Sequence, residues 1–239
     1  MTVLVVTGTG TEVGKTVTTA VLACAALAAG RSVAVLKPAQ TGVTGDERGD
    51  ADEVVRLAGG VTAVELARFP DPLAPATAAH RAGLAPVGAR ETADAAAKLA
   101  AEHDLVLVEG AGGLLVRFDG AGSTLADAAR MLGAPVLLVA AAGLGTLNTT
   151  ALTAEALRAR EVDLLGVVVG SWPREPDLAA RCNLADLPVV AKAPLLGAVP
   201  EGAGAYDPAV FRAAAAGWLA PALHGTWDVA RFTGEQAPV

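Results

Sequence analysis

The sequence predicts a single α/β domain, a mostly parallel sheet with helices on both faces. Three observations predict it. Short Val- and Leu-rich runs alternate with longer Ala/Leu segments along the 239 residues. The short runs are apolar throughout, as strands covered on both faces are. Finally, 53% of the chain is hydrophobic but only 3% aromatic, so a large core must be built from Ala, Val and Leu. We see no internal repeat or low-complexity linker, and expect one domain over 1–222. The tail over 223–239 mixes Gly, Pro and isolated aromatics and is expected to be loosely held.

The elements follow in order. MTVLVVTGTG lacks a basic segment and runs straight into glycines, so 3–7 reads as a buried first strand and not as a signal peptide. A helix over 15–29 takes Cys24 as a small core hydrophobe. The second strand, 32–37, ends where Pro38 turns the chain. Asp50 and Asp52 open a helix over 50–58, and one of them serves as its cap. Then come a helix over 91–103, a strand over 105–109, a helix over 125–132 and a strand over 135–140. A helix over 149–160, a strand over 164–169, a weaker strand over 195–199 and a helix over 207–219 complete the series. Phe211, Trp218 and Leu219 at helical spacing are core contacts. The uncharged run 131–154 is broken by Pro135, Gly143 and Gly145, and reads as strand, loop and helix start rather than a membrane span.

Charge narrows the function. Lys and Arg number 18 against 25 Asp and Glu, a net −7, which argues against coating nucleic acid. A local cationic site for a small phosphate ligand remains open. Cys24 and Cys182 form no framework, and His80, His103 and His224 form no ligand-spaced cluster. No candidates for a catalytic triad are present. A cytoplasmic protein without membrane or nucleic-acid partners is expected.

Ligands of open parallel sheets bind beyond the carboxyl ends of the strands. The first strand ends in Gly8-Thr9-Gly10-Thr11-Glu12-Val13-Gly14-Lys15-Thr16. Such a loop converges backbone N–H groups on a phosphate at a helix N-terminus. Lys15 would reach the β/γ-phosphates and the Thr16 hydroxyl would hold Mg²⁺. The first glycine falls one residue earlier than the strict phosphate-loop pattern wants. Gly8, Gly10 and Gly14 partly mimic a dinucleotide fingerprint, but that loop has no use for Lys15. The fold class is therefore P-loop NTPase-like.

Lys37 closes the second strand in a chain where only Lys15, Lys37, Lys98 and Lys192 are lysines. A retained Lys in an Arg-preferring chain points to a compact ammonium at the γ-phosphate end. Thr41 could supply a hydroxyl to a substrate. Glu109 ends an apolar strand before Gly110-Ala111-Gly112-Gly113, matching the acidic metal element of phosphate-loop NTPases. Asp50 could also reach Mg²⁺.

These stretches resemble the dethiobiotin synthetases: VTGTGTEVGKT (6–16), KPAQTG (37–42), LVLVEGAGG (105–113), LGTLN (144–148) and APLLGAVPEG (193–202). The resemblance spans position 3 to about 202. It implies an ATP- and Mg²⁺-dependent ring closure. The diamine 7,8-diaminopelargonate takes up CO₂ as a carbamate, ATP phosphorylates it, and the second amine closes a cyclic urea. It implies nucleotide contacts from Glu12, Val13, Gly14, Lys15, Thr16 and Val17, and from Glu109, Gly110, Ala111 and Gly112. Thr16, Asp50 and Glu109 would hold the metal, Asp50 being chosen because Arg56-Leu57 keeps the family's spacing. Lys37 would be catalytic with Lys15, and Thr11, Lys37, Thr41 and Asn148 would meet the substrate. Asn148 would act across a homodimer interface. Gly10 replaces a common Asp, and Gly170-Ser171 replace an Asn-Asp pair that reads the base. Another nucleoside triphosphate could therefore serve comparably to ATP. Pro200, Glu201 and Gly202 keep the second base-contacting stretch.

A rival from another class is a partitioning-type ATPase, a nucleotide switch that dimerises and binds protein partners. Those proteins carry a lysine where Gly10 stands, and no basic amphipathic helix closes this chain. A cobyrinate-type amide synthase would need a glutaminase domain that this length cannot hold.

Overall fold

A computed structural model describes residues 2–237. Its centre is a seven-stranded sheet in the order β3-β2-β4-β1-β5-β6-β7, every neighbouring pair parallel. The strands are β1 (Val3–Gly8), β2 (Val33–Thr41), β3 (Val61–Phe69), β4 (Leu105–Gly113), β5 (Val136–Ala140), β6 (Leu164–Trp172) and β7 (Leu195–Pro200). The helices are α1 (Lys15–Ala28), α2 (Asp50–Ala58), α3 (Pro75–Ala82), α4 (Ala89–Ala100) and α5 (Leu125–Leu132). They continue with α6 (Thr146–Arg158), α7 (Leu178–Ala191), α8 (Pro208–Ala215) and α9 (Val229–Gln236). Among the described residues no helix is long and apolar enough to cross a membrane.

Strand alternation splits the core between the two faces. Leu4, Val6, Val35 and Leu107 pack with Val21, Leu22 and Ala25 of α1. Val5, Leu36, Val106 and Val108 pack on the other face with Leu125, Ala129 and Leu157. The small side chains of α1, including the buried Ala20, Ala23 and Ala26, fit a backbone that lies close to the sheet.

Six strands were expected and seven are present. β3 is the addition. It lies on the edge, where exposed Thr62 and half-buried Glu65 and Arg68 interrupt the apolar run that marks the central strands. α3 and α7 were also missed: α3 is short, and α7 carries Asn183 and Pro188 inside an otherwise apolar segment. The helix expected over 207–219 stops at Ala215 and passes into a 3-10 turn, although Phe211 and Leu219 are fully buried as expected. β2, β4 and β6 run three or four residues past their expected ends, because stretches rich in glycine or containing Pro38 still pair in the sheet. In the segment expected as a tail, Trp227 is buried, and the Phe232 ring of α9 meets Trp227 at 5.3 Å and Trp172 at 5.4 Å. Pro238 and Val239 lie outside the described residues.

Two features position the site. β4 separates β1 from β2, so the ends of three strands, rather than two, face one crevice. The β1–β4 register also slips, with Val6 opposite Glu109 and Gly8 opposite Gly113. The slip bulges Gly110–Gly112 at the carboxyl edge, next to the loop that leaves β1.

Candidate active site

The loop after β1 reaches α1 through Gly14 at φ +92°, a left-handed conformation open to glycine. A Cβ there would also sit 2.2 Å from the Gly170 carbonyl oxygen. No side chain caps α1, so its first-turn N–H groups face the crevice as an anion cradle. Lys15 opens the helix, and its ammonium donates to the Gly10 carbonyl at 2.8 Å. Burial, and then the neighbouring Lys37, hold the Lys15 pKa below its ordinary value.

Lys37 is 2% exposed. Its ammonium donates to Glu109 Oε1 at 3.0 Å and to the Gly110 carbonyl at 3.1 Å, and it pairs with the Asp50 carboxylate. Burial works against this charge, but Glu109 and then Asp50 outweigh it and raise the pKa above the ordinary value. Asp50 is desolvated as well, yet Lys37 holds its pKa below the ordinary range. Glu109 Oε1 also accepts from the Thr16 hydroxyl at 2.9 Å, so one carboxylate oxygen joins the phosphate loop to Lys37.

Thr16, Asp50 and Glu109, expected as metal ligands, therefore converge. The donor set suits a hard divalent cation: two carboxylates and a hydroxyl, all oxygen. Glu109 Oε2 is buried with no hydrogen-bond partner, the kind of orphaned acceptor that a cation satisfies. Asp50 and Asp52 take different partners. Asp52 accepts the Gly49 N–H at 2.9 Å as the helix cap, while Asp50 turns to Lys37.

A cavity of about 400 Å³ lies over these groups, lined by Thr11, Glu12, Gly14, Lys15, Thr16 and Val17 from the loop. Lys37, Thr41, Asp50, Ala111 and Gly112 complete it with Ala39 and Gln40. A second lobe of about 460 Å³ shares Thr11, Thr41, Ala111 and Gly112 and is walled by Pro72, Leu73, Ala74, Pro75 and Val116. Sequence reasoning missed these apolar walls and Gln40. The signal for Gln40 was its place in the KPAQTG stretch, between Lys37 and Thr41.

Other expected residues lie apart from the cavity. Val13 and Gly110 adjoin it without lining it. Gly170 is buried against the phosphate loop, and a Cβ on it would sit 2.1 Å from the Val13 carbonyl oxygen. Ser171, Glu201 and Gly202 are exposed, and Pro200 pairs with Trp172 at the sheet edge. Asn148 is exposed near the start of α6, beside Leu144, which is 91% exposed.

The parallel sheet, the uncapped glycine loop and the Lys-Thr pair at its end define a phosphate-loop nucleotide-binding protein. A family profile described as an AAA domain matches residues 2–207. Among solved structures, MinD of Aquifex aeolicus aligns at a TM-score of 0.57, with 15% identity, over 100% of this chain and 99% of that one. A ParA family ATPase from Chlorobium tepidum aligns at 0.56 with 12% identity, over 88% and 89%. These likenesses show the fold. Sequence relatives go further. The ATP-dependent dethiobiotin synthetase BioD of Streptomyces avermitilis is 74% identical over the whole of both chains, and that of Streptomyces coelicolor is 70% identical over the same extent. The chain belongs to the ATP-dependent dethiobiotin synthetase family.

Proposed function

We propose that this chain is an ATP-dependent ligase of biotin biosynthesis that closes 7,8-diaminopelargonate and CO₂ into dethiobiotin. The observation that carries the reading is the joined cavity, cationic at the phosphate loop and apolar in the lobe that shares four of its residues. A long aliphatic diamine needs both halves. Its chain lies along Pro72–Pro75 and Val116, and its amines meet Thr11, Thr41 and Lys37 where the lobes join.

One amine attacks CO₂ and loses a proton, leaving a carbamate. A carbamate oxygen attacks the γ-phosphorus of ATP, and the bond to ADP breaks. The second amine then attacks the carbamate carbon and gives up a proton, while phosphate departs with the bonding electron pair. No step needs a protein nucleophile. The obstacle is bringing two anions together, which is work for fixed positive charge. Lys15 follows the phosphates from the loop. Lys37 is held by Glu109, Gly110 and Asp50, so its ammonium is oriented before the substrates arrive. Thr16, Asp50 and Glu109 would hold Mg²⁺, which supplies charge neutralisation on the phosphates when bound.

Two features support a homodimer completed by Asn148. The residue lies outside the cavity of its own chain, and the exposed Leu144 and Leu152 stand four residues before and after it. ATP use and the unpaired Cys24 and Cys182 fit the cytoplasm. With no side-chain amide at Gly170-Ser171, CTP and GTP should support turnover comparably to ATP.

Phosphate release from Mg-ATP, with and without the diamine plus bicarbonate, tests the reading. Diamine-dependent release with stoichiometric dethiobiotin is expected, repeated with CTP and GTP. Slow release indifferent to the diamine would overturn it in favour of a nucleotide switch.

A further inference from the structure

Helix α2 carries Asp50 at its first position, yet its start is poorly equipped to hold that residue still. Gly49 precedes it and has no side chain to cap the helix. The Asp52 carboxylate is occupied with the Gly49 N–H. The Asp50 N–H is an orphan donor of the first turn, and its partner comes from another element. Gln40 of β2 accepts it through Oε1 at 2.8 Å.

Gln40 is 6% exposed, so its carboxamide is tolerated only because its polar atoms are engaged. Its amide nitrogen donates to the Thr41 carbonyl at 3.2 Å. The fit is tight: a Cβ on Gly49 would lie 2.9 Å from Gln40 Oε1 and 3.0 Å from Glu65 Oε2. A neutral acceptor also avoids adding a further charge beside Asp50 and Glu65.

We propose that Gln40 is a positioning residue that caps α2 from the neighbouring strand and thereby fixes the Asp50 carboxylate over Lys37 and the metal position. The proposal rests on the reading of Asp50 as a metal ligand given above. Gln40 joins the substrate side of the site, at Thr41, to the metal side, at Asp50, through consecutive hydrogen bonds.

Two measurements test it. The first is hydrogen exchange at the Asp50 amide in the ligand-free protein. Gln40→Met keeps the volume and removes the acceptor, so protection of that amide should fall about five- to tenfold, the worth of one hydrogen bond. Gln40→Glu keeps the acceptor but loses the donor to the Thr41 carbonyl, so it should retain clearly more protection than Gln40→Met. The second is Mn²⁺ titration of the enzyme–ADP complex followed by electron paramagnetic resonance. Gln40→Met should weaken Mn²⁺ by a similar factor and leave ADP affinity unchanged, whereas Gln40→Glu should bind Mn²⁺ at least as well as the parent. An Asp50 amide unprotected in the parent protein overturns the proposal whether or not the variants fold. Lost protection with unchanged Mn²⁺ affinity overturns it as well. Failure of the parent complex to bind Mn²⁺ would instead strike the metal reading, leaving the amide result to decide the cap.

Discussion

Lys37→Met removes an ammonium that is 3% exposed and strands Glu109, whose side chain is 1% exposed. Breaking a buried ion pair from one side costs about 3–5 kcal/mol, because the remaining charge is desolvated and uncompensated. Thr16 and Lys15 soften the loss, since the Thr16 hydroxyl still donates to Glu109 Oε1 at 2.9 Å. In a chain of this size each kcal/mol moves the melting point by about 2–4 °C, so a fall of about 6–20 °C is expected. The assay is thermal unfolding without nucleotide or divalent metal. Glu109→Gln in the Lys37→Met background should recover most of the loss, because a neutral pair replaces a lone buried charge. The single variant should still bind ADP but lose most phosphoryl transfer. A melting point within about 2 °C of the parent would refute the reasoning, since it falls below the cost of one stranded charge. So would a double variant no more stable than the single one.

Gly170→Ala places a Cβ 2.1 Å from the Val13 carbonyl oxygen and 2.4 Å from Val139 Cγ1, so the phosphate loop must shift. A stability loss of about 1–3 kcal/mol is expected in urea melts, with weakened ADP binding by calorimetry. On the pH axis, the depressed Asp50 carboxyl stabilises the fold above its ordinary 3.8, and that contribution is lost as pH falls through its lower folded value. The raised Lys37 contributes below its ordinary 10.5 and is lost as pH rises through its higher folded value. The stability difference between the parent and Asp50→Asn, read from urea melts, should therefore be flat near neutrality and shrink below pH 3.8. Finally, Leu152→Asp on the exposed face of α6 should give a monomer by sedimentation and lower the diamine-dependent rate, while Leu178→Asp on α7 should do neither.

The central strands were legible because burial on both faces writes a continuous apolar run, and β1, β4 and β5 sit under helices on either side. β3 was not, because an edge strand answers to solvent along one side and carries Glu65 and Arg68. At the site, Lys37 and Glu109 were legible as charged residues at strand ends, and Lys15 and Thr16 as a Lys-Thr pair closing a glycine loop at a helix start, where no packing argument asks for them. Gln40 and Pro72–Pro75 were not. The role of Gln40 depends on α2 arriving within 2.8 Å of it, and the apolar wall depends on where the β3–α3 connection lies. Both are tertiary facts with no local signature. Gly170 was legible as a departure from the family but not in its consequence, which is a close approach to Val13 and Gly14.

The sheet order explains why a fold shared with MinD and ParA can host this chemistry. β1 and β2 are consecutive in sequence but separated in space by β4. Glu109, on the middle strand, therefore stands between the phosphate loop from β1 and Lys37 from β2. Its Oε1 accepts from both sides, from Thr16 at 2.9 Å and Lys37 at 3.0 Å. Were β1 and β2 adjacent, Lys37 would face Lys15 with Asp50 of α2 as its one acidic partner, and burial would weigh more heavily against its charge. An acid in the middle position, with Asp50, keeps the second lysine charged although it is buried, which is the fixed charge that the proposed reaction asks for.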